Sequence, residues 1–226
     1  MNCQLVSNSS LSTMDKPYLK RIGILLYIAQ ASRPDIAYAV NYLARFSLGT
    51  DQSHWTALEH LIAYLRGTKD MGILINKNNK SRNFECFVDA NWGGEGNRST
   101  HGVNPIAWQS KRQTTIAPST AQAEYMALSF AARETLWIYH LLFTILKTPI
   151  PTLFSDNKTA IGISTQSMNR KQTRHLIRDF NIINEYIAVG KLQLRWISTN
   201  EQLGDVMTKP LGRIKHTEFV RKVNVC

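Results

Sequence analysis

Beyond residue 84 the chain alternates short apolar segments with longer segments of helical spacing, and this alternation constrains its fold most strongly. FECFVDANW at residues 84–92 and TLFSDN at residues 152–157 read as strands, whereas residues 119–149 repeat apolar side chains at helical spacing. Strands that alternate with helices are typical of a mixed sheet with helices on its faces. The sequence therefore predicts an α/β domain over residues 84–212.

The remaining segments of this domain continue the alternation. Ser119 and Gln122 have the spacing of a capping box, which predicts the start of the long helix. After the second strand we predict a short helix at KTAIGISTQ, an amphipathic helix ended by Gly190, a strand at KLQLRWIST and a last helix at NEQLGDVMTK. Residues 213–226 are interpreted as a C-terminal tail.

The first 75 residues instead predict a small, mainly helical domain. A buried helix is predicted at YLKRIGILLYIAQ, a second near Pro34 and a third near Ser53, after which MGILI reads as a short strand. The polar segment NKNNKSRN, residues 76–83, reads as a linker. The sequence thus predicts two domains, residues 1–75 and 84–212, joined by that linker.

An excess of positive charge narrows the classes of partner. The chain has 226 residues, with 27 Lys and Arg against 16 Asp and Glu, a formal net charge of +11. A basic globular protein most often binds phosphate groups, in nucleic acid or on an anionic membrane. The longest apolar run, residues 22–29, is too short to cross a membrane, and three scattered cysteines form no disulfide or zinc pattern. We expect an intracellular protein without a membrane segment.

Four acidic residues stand at the ends of predicted elements: Asp89, Glu124, Asp156 and Asp205. Asp89 and Asp156 each end an apolar strand, whereas Glu124 and Asp205 lie in the first turns of helices. Element ends are where ligand sites form in α/β sheets. Four acids brought together would repel one another unless hard cations lay between them. Two Mg²⁺ ions roughly 4 Å apart could then clamp the attacking water and the leaving oxygen of a phosphodiester.

Each acid also has a purely structural interpretation. Asp156 with Asn157 can cap a helix, Glu124 and Asp205 favour the helix dipole, and Asp89 can be an ordinary strand-end residue. The acids follow the order strand, helix, strand, helix, and this order favours the catalytic interpretation.

The segments that carry these acids resemble the ribonuclease H domain of Ty1/copia-type retrotransposon Pol polyproteins. The resemblance extends over residues 87–209 and rests on VDANWGG, RSTHG, AWQSKRQ, STAQAEYMALSFAARETLWI, FSDNKTAI, TRHLIRDF and EQLGDVMTKPL. Residues 18–75 resemble the segment that joins the reverse transcriptase to that domain. The resemblance implies a ribonuclease H-like mixed sheet flanked by helices, preceded by a small, mainly helical reverse-transcriptase connection segment.

The same resemblance implies an activity. By it, Asp89, Glu124, Asp156 and Asp205 match the catalytic, metal-binding acids of the family. This match implies hydrolysis of the RNA strand of an RNA–DNA hybrid by two Mg²⁺ ions, with Mn²⁺ as a substitute. The implied partners are the hybrid duplex and the polymerase part of the same polyprotein. The implied location is the cytoplasm, including virus-like particles, or the nucleus.

Substrate contacts are expected from six basic residues near the acids: Lys111, Arg112, Arg170, Lys171, Arg174 and Lys209. Such side chains bind backbone phosphates without reading sequence, and a hybrid is recognised by its shape and 2′-hydroxyls. His175 is interpreted as a helix-capping or surface residue. Four tryptophans are predicted to lie in the core: Trp92, Trp108, Trp137 and Trp196.

Departures from the family pattern leave alternatives open. No two aspartates are adjacent, so the Tyr-x-Asp-Asp turn of polymerases is absent and polymerase activity is not expected. Only HGVNPIA connects Thr100 to Trp108, where the family has a complete strand, a turn and the next strand, and Pro105 disfavours a central strand. A lost strand leaves sheet edges unpaired, so a catalytically inactive nucleic-acid-binding remnant is one alternative. A polymerase accessory segment is another, while integrase chemistry fits the order of the acids poorly.

Overall fold

A computed structural model describes residues 16–74, 84–92, 100–101, 107–113, 116–165, 177–223 and 225. The chain divides into two compact units, residues 1–75 with 209–226 and residues 76–208. The predicted linker at residues 76–83 and Pro105 lie outside the described residues.

The first unit is helical, as the apolar spacing predicts. Its elements are α1 (Lys16–Ala31), a 3₁₀ turn (Pro34–Ile36), α2 (Ala37–Ala44), α3 (Gln52–Gly67) and α8 (Arg213–Lys222). Helix α3 begins with a capping box: the Asp51 carboxylate accepts hydrogen bonds from the Ser53 and His54 amides at 2.8 and 3.1 Å. The His54 ring in turn accepts from the Asp51 amide at 3.0 Å, so three otherwise unsatisfied backbone donors are paired.

Two segments of this unit differ from the sequence-based expectation. MGILI contributes only an isolated antiparallel bridge, Ile73 with Val225, among the described residues, so the predicted strand is wrong there. Residues 213–222, interpreted as part of a tail, form α8 within this unit. Phe219 and Val220 on this largely polar helix are buried, whereas its Ile214 is 77% exposed, which indicates that packing and not helical periodicity orders it.

A buried ion pair lies at the start of the 3₁₀ turn. The Arg33 guanidinium binds both oxygens of Asp35, at 2.9 and 2.7 Å, and the two side chains are only 5% and 0% exposed. Arg33 also donates to the Thr68 carbonyl at 2.9 Å, and the Tyr64 hydroxyl donates to Asp35 at 2.7 Å. The His216 ring lies 3.1 Å from the Asp35 carbonyl oxygen, so this network joins α3 and α8 to the turn.

Tyr64 makes the stability of this unit sensitive to alkaline pH. Burial, followed by the hydrogen bond to Asp35, raises the pKa of Tyr64 from 10.0 to about 12. The unfolded chain therefore loses the phenolic proton first, so this stabilisation is complete below pH 10.0 and is lost as the pH rises through about 12. We predict that the free energy of unfolding, measured by urea titration, falls more steeply over this range than in Tyr64→Phe. Parallel curves for the two proteins would contradict the prediction.

The second unit is an α/β arrangement with a small parallel sheet and helices, and this coarse prediction of the fold class is confirmed. The sheet has the order β1-β4-β5, all parallel, with β1 at Glu85–Phe87, β4 at Thr152–Ser155 and β5 at Gln193–Trp196. A separate antiparallel pair joins β2 (Thr100–His101) to β3 (Lys111–Arg112). The helices of the unit are α4 (Thr120–Leu146), α5 (Lys158–Thr165), α6 (Ile177–Ala188) and α7 (Asp205–Thr208).

Helix α4 starts where the sequence predicts. The Ser119 hydroxyl accepts from the Gln122 backbone amide at 3.3 Å, and the helix ends at Leu146, before Lys147, whose φ of 49° is left-handed. Tyr125 and Leu128 of this helix pack with Cys86 and Leu153 of the sheet in one buried cluster. This packing holds the amino-terminal half of α4 against the strands.

None of the helices in the described parts of the chain combines the length and apolarity needed to cross a membrane.

Candidate metal centre

The parallel register of β1 and β4 brings two predicted acids to one edge of the sheet. Phe87 pairs with Phe154, and Asp89 and Asp156 each follow two residues later. Because parallel strands end at the same edge, both acids leave the sheet side by side. Glu124 comes from the second turn of α4, which packs on these strands.

The carboxylates of Asp89, Glu124 and Asp156 converge at this edge. One oxygen from each lies within 4.8 Å of the other two. Asp89 is 2% exposed and Glu124 is 7% exposed, while Asp156 is half-buried. Close, shielded carboxylates repel one another, and a divalent cation relieves that repulsion. A set of oxygen donors without sulfur or imidazole fits a hard cation such as Mg²⁺ or Mn²⁺.

Asp89 is held by residues more than 110 positions away in the sequence. The Thr208 hydroxyl donates a hydrogen bond to the Asp89 carboxylate and lies 3.2 Å from the Asp205 carbonyl oxygen. The side-chain amide of Asn91 donates to the Thr208 backbone carbonyl at 3.3 Å. The carboxyl end of β1 is thereby tied to the last turn of α7.

Gln202 and Gly204 support the same strand end. The side-chain nitrogen of Gln202 donates to the Val88 backbone carbonyl at 2.9 Å. The side-chain oxygen of Gln202 accepts from the Gly204 backbone amide at 3.0 Å. A Cβ at Gly204 would lie 3.0 Å from the Asp89 backbone nitrogen and 3.1 Å from its Cβ. This approach is tighter than nine in ten real Cβ contacts, so a larger residue would force the Asp89 backbone to shift by a few tenths of an ångström.

Gly204→Ala is predicted to move Asp89. The added methyl group meets backbone, which cannot rotate away, so we expect a loss of about 1–3 kcal/mol in the free energy of unfolding. Any metal-dependent activity is expected to fall about tenfold, as is typical when groups that orient a metal ligand are disturbed. Urea unfolding and a rate measurement check this prediction. Gly212→Ala, where an added Cβ meets nothing within 4 Å, is the control, and equal effects would contradict the prediction.

Asp156 is oriented from the end of β5. The Thr199 hydroxyl donates to the Asp156 carboxylate at 2.8 Å, and the Trp196 indole donates to the Asp156 carbonyl at 3.1 Å. Asn157, not Asp156, caps α5, since its side-chain oxygen accepts from the Ala160 amide at 2.9 Å. The capping interpretation of this pair therefore applies to Asn157 and leaves the Asp156 carboxylate directed to the cluster.

The fourth predicted acid, Asp205, lies outside the cluster. Asp205 is the first residue of α7 and is 5% exposed. Among the described residues, the carboxylates that meet within 4.8 Å are those of Asp89, Glu124 and Asp156. A metal-binding role for Asp205 stays a prediction.

The predicted substrate-binding residues are only partly described. Lys111 on β3 is exposed, with its ammonium 6.0 Å from the centre of the Phe130 ring, and Arg112 is half-buried. Lys209 follows α7 and is half-buried. Three basic residues and a histidine lie outside the described residues: Arg170, Lys171, Arg174 and His175. Their roles stay predictions.

The expectation that the tryptophans lie in the core is wrong for three of them. Trp92, Trp137 and Trp196 are 41%, 65% and 50% exposed, and Trp108 is half-buried. The indole nitrogens of Trp92 and Trp196 donate to backbone carbonyls, which fixes one edge of each ring and leaves the rest at the surface.

Sequence reasoning missed the residues that support Asp89. Thr208, Gln202 and Gly204 lie in the segment EQLGDVMTK, for which the sequence predicts a helix and a metal-binding acid but no contact with Asp89. The one sequence signal for this contact was Gly204, which directly precedes Asp205 at a predicted helix start. A glycine at that position does not by itself identify the strand that it contacts.

No family model matches the chain. The chain is 34% identical over 215 residues to a retrovirus-related Pol polyprotein from transposon RE2 of Arabidopsis thaliana, covering 90% of this chain and 15% of that protein. It is 32% identical over 208 residues to a retrovirus-related Pol polyprotein from transposon TNT 1-94 of Nicotiana tabacum, covering 88% and 16%. The chain thus spans about 15% of the length of these relatives. The protease–reverse transcriptase of prototype foamy virus aligns with 88% of this chain and 26% of that chain at 13% identity, with a TM-score of 0.33, too low to establish a shared fold.

Proposed function

Because the chain belongs to the Pol polyproteins of Ty1/copia-type retrotransposons, we propose that its second unit is the ribonuclease H-like region of such a polyprotein. In this proposal it hydrolyses the RNA strand of an RNA–DNA hybrid with the help of two Mg²⁺ ions. The observation that carries the proposal is the convergence of Asp89, Glu124 and Asp156 from three separate elements onto one sheet edge.

The chemistry follows from the cluster. Asp89, Glu124 and Asp156 would hold the ions, with Asp205, the first residue of α7, as a further acid. Bound there, the ions would supply activation of a water and stabilisation of the charge that develops on the phosphodiester. The protein's own task is to orient the ligands: Thr208 fixes the Asp89 carboxylate, and Thr199 fixes that of Asp156.

Positive charge outside the cluster suits a polyanionic substrate. The net charge of +11 attracts the negatively charged duplex. The acidic cluster would repel a phosphate unless bound cations neutralised its carboxylates. Lys111 and Arg112 on β3 are proposed to bind the backbone, together with Arg170, Lys171, Arg174 and Lys209.

The first unit is proposed to be the connection segment next to the polymerase part of the polyprotein. Leu19, Ile24 and Tyr27 of α1 are 40%, 52% and 74% exposed. Exposed apolar side chains on one helix suit contact with a neighbouring protein part.

Cleavage of a hybrid tests the proposed function. A duplex of labelled RNA and DNA is incubated with the full chain and Mg²⁺, and the products are separated on a denaturing gel. We predict cleavage of the RNA strand only, ending in 3′-hydroxyl and 5′-phosphate groups, and none in chelator or with Asp156→Asn. Equal cleavage by parent and variant would identify a contaminating nuclease.

The short HGVNPIA connection favours a second candidate, an inactive nucleic-acid-binding remnant. Retained hybrid binding without cleavage by the parent in Mg²⁺ or Mn²⁺ would establish that function instead.

A further inference from the structure

The sheet edge that holds the acids also presents an exposed aromatic ring. Trp196 is the last residue of β5, which runs parallel to β4, so it lies at the same edge as Asp156. The indole is 50% exposed, and its nitrogen is fixed by the hydrogen bond of 3.1 Å to the Asp156 carbonyl. One rigid aromatic surface therefore faces solvent directly beside a member of the acidic cluster.

A lysine accompanies this ring. Lys158 is the first residue of α5 and is exposed, and its ammonium lies 4.7 Å from the centre of the Trp196 ring. The ring thereby holds a positive charge at its face, on a lysine that follows Asp156 by two residues. An ammonium attracts a phosphate, while an indole face or edge packs against a sugar or base.

We propose that Lys158 and Trp196 form a nucleic-acid backbone subsite beside the metal centre. Lys158 binds a phosphate, and Trp196 packs against the adjoining nucleotide. This subsite is distinct from the six basic residues identified in the sequence, and it rests on the proposed function for its substrate, a hybrid duplex. Because the contacts are to phosphate and to a ring face, they do not depend on base sequence.

The salt dependence of binding tests the phosphate contact. The affinity of the full chain for a fluorescent hybrid is measured by anisotropy in chelator, where no cleavage occurs, at several salt concentrations. Each phosphate contact contributes about 0.7–0.9 to the slope of log K against log salt concentration. Lys158→Gln is expected to lower the slope by that amount. The control is Lys191→Gln, an exposed lysine before the other end of β5, and equal slopes for the two variants would overturn the proposal.

A second comparison separates contact by the ring from a merely structural role. Trp196→Ala is expected to weaken hybrid binding about fivefold or more, whereas Trp196→Phe, which keeps a ring, loses about twofold. Trp137→Ala, at a tryptophan that is 65% exposed on α4, is the control and leaves the affinity unchanged. Equal affinities of Trp196→Ala and Trp137→Ala would overturn the role of Trp196.

Kinetics distinguish failure of this subsite from failure of the proposed function. In an active parent, Trp196→Ala is expected to raise KM, since a uniform binding contact is lost, in addition to any fall in kcat from the lost hydrogen bond to Asp156. A fall in kcat at unchanged KM would show that Trp196 only supports Asp156 and would overturn the subsite. If the parent binds the hybrid but does not cleave it, the proposed nuclease function is refuted. The binding comparisons still test whether Lys158 and Trp196 form the subsite.

Discussion

Replacement of Asp89 with asparagine is expected to lower the rate of hybrid cleavage by more than about 100-fold, since even partners that only orient metal ligands change activity by about 10–100-fold. The substitution preserves size and can still accept the hydrogen bond from Thr208. It removes one of the three negative charges that would bind a cation, in a cluster whose carboxylate oxygens lie within 4.8 Å of one another. The measurement is the initial rate of RNA cleavage in Mg²⁺.

The same variant is expected to lose stabilisation by the metal. A cation that binds only the folded state stabilises it by RT ln(1 + c/Kd), where c is the free cation concentration, and so raises the unfolding temperature as that concentration increases. Mg²⁺ should therefore raise the Tm of the parent and leave that of Asp89→Asn nearly unchanged. Asp205→Asn is the matched control, because Asp205 is similarly buried, at 5% exposed, but lies outside the cluster. We expect it to lose only about tenfold in rate, and a larger loss than in Asp89→Asn would contradict the account.

Arg33→Met is expected to destabilise the first unit by about 3–5 kcal/mol, because it leaves the carboxylate of Asp35 buried without its cation. Both side chains of the pair are almost fully buried, at 5% and 0% exposed. The methionine occupies similar volume but cannot pair with Asp35 or donate to Thr68. Urea unfolding followed by circular dichroism measures the loss.

A surface pair provides the control for this prediction. Arg21 pairs with Glu59 through side chains that are 46% and 52% exposed. Arg21→Met should cost less than about 1 kcal/mol, since exposed ion pairs contribute little. Adding Asp35→Asn to Arg33→Met should restore part of the stability, because a neutral amide is less costly to bury than a carboxylate. Equal losses in the two single variants would contradict the importance of burial.

Elements with local signals could be predicted from the sequence. Helix α4 begins at its capping serine, and β4 coincides with a short apolar run before Asp156. The convergence of Asp89 and Asp156 was also predictable, because acids that end parallel strands meet at one edge. These features depend on periodicity, capping and topology, and residues close together in the sequence determine them.

Features that depend on distant contacts could not be predicted. The bond from Thr208 to Asp89 joins residues 119 positions apart, and the approach of Gly204 to Asp89 depends on how α7 meets β1. Helix α8 carries few apolar residues, and only its packing within the first unit orders it. Trp196 is likewise 50% exposed and bonded to the Asp156 carbonyl, a position that the apolar character of tryptophan does not reveal.

A crystal structure of the full chain soaked in Mn²⁺ tests the central claim most directly. The account predicts anomalous scattering peaks in contact with the carboxylates of Asp89, Glu124 and Asp156, with two peaks roughly 4 Å apart when a hybrid is bound. Saturating Mn²⁺ without a peak at this cluster, or with peaks only elsewhere on the chain, would contradict it.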